Sequence, residues 1–203
     1  MVRLPPHAPG LRVGLYGGSF NPPHAGHLHV SGLAMKRLRL DRIWWMVTPG
    51  NPLKDQSSLP PAAARLRAAR ALARRPGLAV TAFEEDIGAK FTVDALSYLV
   101  LRCPDVRFVW IMGADCLAGF HRWRGWRRIA GLMPFAVVDR PGWTLRAAQA
   151  RAAVALRRYP RRKRRSAARR HGPAGLGVPA RAALGSVIHR SSRKEWPFRN
   201  PGD

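Results

Sequence analysis

Acidic residues are scarce in this chain: 11 Asp and Glu stand against 36 Lys and Arg, leaving a formal net charge of +25. Such an imbalance implies attraction to phosphate-bearing partners, without choosing between nucleotides and nucleic acid. Cysteine is scarcer still, with only Cys103 and Cys116. This excludes a disulfide framework and a cysteine-based metal site, and fits indifferent thiols in a reducing compartment. No apolar run is long enough to span a bilayer, and residues 1–12 lack the apolar stretch of a secretory signal. The expectation is a cytoplasmic protein with no membrane partner. At 203 residues and 46% hydrophobic content, the chain suits one globular domain, or one domain with a tail.

The most informative stretch is residues 13–28, VGLYGGSFNPPHAGHL. Val13, Leu15 and Tyr16 suit a buried strand, and Gly17-Gly18 a turn where side chains would clash. Pro22 and Pro23 precede an apolar segment, so a helix is expected to start near His24. His24 and His27, three residues apart, then project from one face of its first turn, with Gly26 keeping the surface low. In an α/β sheet, the crevice between strand ends and a helix N-terminus attracts phosphate. The glycine spacing is not the dinucleotide fingerprint G-x-G-x-x-G, and two prolines remove backbone donors, so side chains must supply phosphate contacts. Attack on the α-phosphorus of a nucleoside triphosphate needs positioned donors and a metal ion, and an attacking phosphate, already ionised, needs no general base. The competing readings of the pair are a surface feature at a helix start, a core histidine, or a zinc ligand set, which requires further ligands that no nearby spacing supplies.

Downstream, a helix is expected over about residues 24–39 and a buried strand over 42–48, a succession that implies a parallel pair. Lys54 follows at the ligand edge, as either a solvated lysine or a phosphate contact. An amphipathic helix over 60–75 with Leu66 and Leu72 on its apolar side leads to a strand at 78–83. Glu84-Glu85-Asp86, the one acidic cluster, reads as solvated turn residues or partners for nearby arginines. Thr92 and Asp94 open the next helix, suited to capping or to its first turn. A strand at 107–112 is followed by Asp115, placed at the ligand crevice or as a helix cap, and the last convincing strand is 135–138. Phe120 to Trp126 sets aromatics among arginines, which suits base stacking or, as commonly at helical spacing, core packing. A basic helix over about 144–159 completes the ordered pattern.

The run GGSFNPPHAGHL resembles the signature of the His-x-Gly-His nucleotidyltransferase superfamily, and in this form the nicotinate-nucleotide adenylyltransferase family; the segment GADCLAGFHRWRGWRRIAGLMPFAVVDRPG resembles that family's substrate-binding part. The resemblance covers about residues 11–142. It implies an α/β fold with a doubly wound parallel sheet in a Rossmann-like arrangement. It also implies transfer of AMP from ATP to nicotinate mononucleotide, with Mg²⁺ accompanying ATP. By the same resemblance, His24 and His27 stabilise the phosphates. Gly17, Gly18, Ser19, Phe20 and Asn21 shape the nucleotide pocket, joined by Lys54 and Asp115. Thr92, Trp123 and Arg140 hold the nicotinate end, and Trp126 packs. Ala95 and Cys116 depart from the family's usual threonine and asparagine. A related enzyme using the amide nucleotide, or an inactive member with a basic nucleic-acid-binding tail, are the alternative readings.

Beyond Tyr159 the chain changes character: PRRKRRSAARR is a dense positive block that binds polyanions nonspecifically, and residues 171–203 carry no convincing helix or strand periodicity. The expected division is a catalytic domain over 1–159 and a basic, atypical, disordered or solvated tail over 160–203. The family's C-terminal Ser-Ser/Ala-Thr-x-x-Arg element is not matched by Ser191-Ser192-Arg193-Lys194. An arginine-, proline- and alanine-heavy stretch with few acids is what a GC-rich gene yields out of frame, so the tail reads either as a frame-shifted segment or as a divergent native one.

Overall fold

The computed structural model describes residues 2–50, 57–139 and 149–157, and the backbone of 184–188. Alternation along each strand dictates the layers. In β1 (Arg12–Gly18), Val13 and Leu15 point to one face and Tyr16 to the other; in β2 (Arg42–Val47), Trp44 and Met46 oppose Ile43, Trp45 and Val47. Both faces are therefore apolar, which requires helices on both sides. One face is covered by α1 (Ala25–Leu38) and α2 (Ala62–Leu72). The other is covered by α4 (Thr92–Arg102), α5 (Ala114–Gly119), α6 (Trp126–Leu132) and α7 (Arg151–Arg157). Leu15, Ile43 and Ile111 are fully buried, worth about 1.5–3 kcal/mol each.

With β3 (Leu78–Thr81), β4 (Arg107–Gly113), β5 (Phe135–Val138) and β6 (Leu184–Ile188), the sheet has six parallel strands in the order β3-β2-β1-β4-β5-β6. The order reverses between β1 and β4, opening a crevice beyond their carboxyl ends. The doubly wound α/β expectation holds.

Several local expectations change. Strand β1 runs through Gly17 and Gly18 before the chain turns. Gly17 is needed for space: a Cβ there would lie 2.5 Å from the indole of Trp110. On α2, Leu66 and Leu72 pack against the core as expected, but only partly buried, and the fully buried positions are Arg65 and Ala69. The acidic cluster forms a helical turn, α3 (Phe83–Asp86), in which Glu84 is buried and not solvated. Residues 120–126 are not one helix: a 3₁₀ turn, Phe120–Arg122, ends at Trp123, and α6 starts after Gly125, at φ 64. Finally β6 lies where no strand was expected. Five residues, LGSVI, with a glycine among them give too weak an alternation to read, and pairing with β5 supplies the backbone hydrogen bonds that make them a strand. The rest of the 160–203 tail, and the flanks of the expected 144–159 helix, lie outside the described residues.

Candidate active site

The loop after β1 is strained and held by aromatic packing. Phe20 sits at φ 47, a left-handed conformation costly for a bulky residue, and is buried. Its ring stacks on Trp45 (centroids 4.9 Å apart) and packs on His27 (4.8 Å), and His27 lies 4.0 Å from His24. The indole Nε1 of Trp45 donates to Ser31 Oγ at 2.8 Å, and that hydroxyl donates to the His27 carbonyl at 2.8 Å. This column ties the first turn of α1 to the sheet. Replacing Ser31 with alanine is expected to cost about 1–3 kcal/mol, because the buried Trp45 N–H loses its acceptor; urea denaturation reads it, and an unchanged midpoint would refute the coupling.

His24 caps α1 from an extended conformation. Its Nδ1 accepts the Gly26 N–H (3.1 Å), while His27 Nδ1 accepts the His24 N–H (3.2 Å), a reciprocal box built from two imidazoles. Two orphan donors of the helix start are thereby satisfied. With each Nδ1 an acceptor, a neutral ring at either position carries its proton on Nε2. Gly26 has its own reason: a Cβ there would come within 2.8 Å of the His24 ring and displace it.

These groups open onto a cleft of 420 Å³ at the carboxyl ends of β1, β2 and β4. Gly17, Gly18, Ser19, Phe20, Asn21, His24 and His27 form one wall, and Thr92, Asp115 and Trp123 line it too. The crevice thus gathers every described site residue singled out from the sequence; Lys54 and Arg140 lie outside the described residues. Thr92 is the first residue of α4, whose cap position, Phe91, makes no side-chain hydrogen bond, so Thr92 sits in the first turn and does not cap. Asp115 likewise sits in the first turn of α5, capped at Gly113. Trp123 packs edge-on against Phe120 and Trp110 and lines the cleft, whereas Trp126 packs on Phe120 away from it.

Sequence reasoning missed Glu84, Lys90, Arg122 and Arg124, all on the cleft wall. Arg124 lies 4.5 Å over the Phe91 ring, fixing a cation beside Thr92. Glu84 is 5% exposed, its Oε1 has no hydrogen-bond partner among the described residues, and burial pushes its carboxyl up to about 7. Among the described residues no cluster of three His, Cys, Asp or Glu side chains forms a metal-binding group, and no helix is long and apolar enough to cross a membrane.

A parallel sheet whose switch-point crevice presents two imidazole rings and several cations at a helix N-terminus defines a nucleotide-binding α/β protein of the nucleotidyltransferase kind. The sequence profile of the cytidylyltransferase-like family matches residues 15–169. A Methylorubrum extorquens protein named "Probable nicotinate-nucleotide adenylyltransferase" is 55% identical over 184 residues, covering 89% of this chain and 100% of its own length. Its namesake from a second strain of the same organism is 63% identical over 146 residues, 72% of this chain and 79% of that one. The chain belongs to the cytidylyltransferase-like family and, within it, to the nicotinate-nucleotide adenylyltransferases. Its fold is shared with the nicotinic acid mononucleotide adenylyltransferase of Plasmodium falciparum, solved in complex with NaAD (TM-score 0.59, 18% identity, 66% of this chain and 67% of that one).

Proposed function

We propose that the protein transfers the AMP moiety of ATP to nicotinate mononucleotide, releasing pyrophosphate and forming nicotinate adenine dinucleotide. The reciprocal capping of His24 and His27 is the observation that carries this reading: it fixes two imidazole rings side by side on the cleft wall at a helix N-terminus, the end of a helix that attracts phosphate. As the mononucleotide phosphate attacks the α-phosphorus, charge builds on the equatorial oxygens and the departing pyrophosphate. Fixed donors stabilise that charge without reorganising. The attacking phosphate is already ionised, so no protein base is required.

At the other end, Thr92 and Trp123, both on the cleft wall, take the pyridine ring. Lys90, Arg122 and Arg124 supply a positive wall that favours the acid nucleotide over its amide. Mg²⁺ would enter this reading with the ATP substrate and would offset the charge of its phosphates.

Pyrophosphate release by the purified chain with ATP and Mg²⁺ tests the assignment. The expected result is turnover with nicotinate mononucleotide at least about tenfold faster, as kcat/KM, than with the amide nucleotide, the scale of one lost charge-assisted contact. Equal or reversed preference would move the assignment to the amide enzyme, and no turnover with either would point to an inactive member.

A further inference from the structure

Arg65 is 3% exposed, yet it does not line the cleft. Its guanidinium lies behind the cleft wall and spends its donors on carbonyls from three separate segments. Nη1 donates to Ser19 O (2.9 Å) and Thr48 O (2.8 Å), Nη2 to Pro49 O (2.9 Å), and Nε to Pro60 O (2.9 Å). Ser19 belongs to the loop after β1, Thr48 and Pro49 to the loop after β2, and Pro60 to the lead-in to α2. One side chain thus joins all three at a single point, and the fork of a guanidinium suits the task better than an ammonium could. Burial pulls its titration below the usual arginine value, with Glu85 opposing, and leaves it charged.

The consequence for the cleft follows from peptide geometry. The Ser19–Phe20 and Pro49–Gly50 bonds are trans, so each N–H points opposite to the carbonyl that faces Arg65. Ser19, Phe20, Pro49 and Gly50 all line the cleft. Drawing the two carbonyls backwards therefore turns the Phe20 and Gly50 N–H groups forwards, in a stretch where Pro22, Pro23 and Pro49 offer none. A buried positive charge behind them adds to the attraction for anions.

We infer that Arg65 is a positioning residue for the nucleotide phosphates, clamping the loops after β1 and β2 so that their backbone donors face the triphosphate. This rests on the proposed reaction and extends it to a residue outside the cleft. It acts on ATP and leaves the pyridine end, built on α4 and Trp123, untouched.

The test compares Arg65→Lys and Arg65→Ala with the unaltered protein. KM for ATP, KM for nicotinate mononucleotide, kcat and thermal midpoint are measured, together with calorimetric binding of a non-cleavable α,β-methylene analogue of ATP. Arg65→Lys keeps the charge and loses the fork. Its affinity for the analogue is expected to fall at least about tenfold, with KM for nicotinate mononucleotide within about twofold of the unaltered protein's, and Arg65→Ala is expected to fall further. If Arg65→Ala does not fold, Arg65→Lys carries the comparison alone. A lysine variant with a lowered midpoint but unchanged analogue affinity would overturn the inference, as would equal weakening of both substrates. Failure of the unaltered protein to turn over would count against the proposed reaction, whereas analogue binding still reports on the clamp.

Discussion

Alanine at His24 or at His27 is expected to lower kcat by about 10²- to 10³-fold, the usual consequence of removing one preorganised donor to developing charge. Both rings also cap α1, so each substitution costs some stability, about 0.5–2 kcal/mol. The two effects can be separated at position 24. Asparagine is a good capping residue, so His24→Asn should hold the thermal midpoint close to that of the unaltered protein while losing the imidazole and the turnover with it. Because the rings lie 4.0 Å apart and serve one charge, the double alanine variant should lose less than the product of the single losses. Turnover by His24→Asn within about threefold of the unaltered enzyme would end the catalytic assignment for that ring.

Stability should fall as pH rises through the range from 4.5 to about 7, on account of Glu84. Burial raises its carboxyl from 4.5 to about 7, so in that window the unfolded chain ionises while the folded one still holds its proton. The folded state is thus favoured below the window, loses ground across it, and levels off above about 7. The full cost is about 3 kcal/mol. Glutamine at position 84 carries no such charge. The denaturant midpoint of Glu84→Gln relative to the unaltered protein should therefore rise with pH across the window and hold its gain beyond it. A difference that stays flat with pH would mean Glu84 ionises freely in the fold. The same carboxyl lines the substrate cleft, so its ionisation above neutrality also places a negative charge beside anionic substrates.

How much of this was legible depends on how local the signal is. His24, Gly26 and His27 lie within one turn, and their hydrogen bonds span two and three residues, so the helix start and shared ring face follow from spacing. The strands around Trp44 and Trp110 announce themselves as unbroken apolar runs, because a sheet covered on both faces leaves few polar positions. Asp115 was readable as a crevice residue from its place after β4, although it occupies a first helical turn and not a cap; Thr92 was readable as a first-turn residue, and only the family resemblance placed it at the site. Arg65 was not readable. In an alanine- and arginine-rich helix it looks like its neighbours, and the only trace is its place one helical turn before Ala69, on the stripe that faces the sheet. Glu84 was misread for the opposite reason: acidic neighbours suggested solvent, whereas the single turn of α3 leaves Glu85 exposed and turns Glu84 inwards.

From the amino-acid sequence alone came the α/β alternation, the parallel pairing it implies, the histidine pair and the family, since each is written in patterns and motifs of residues close along the chain. The tertiary structure decided what separates a motif from a site. It brought Ser19 and Thr48 to one guanidinium across 46 and 17 residues, buried a carboxyl in the cleft wall, and set β6 beside β5. Burial and long-range hydrogen bonding depend on which surfaces meet after the chain has folded, and no local pattern records that.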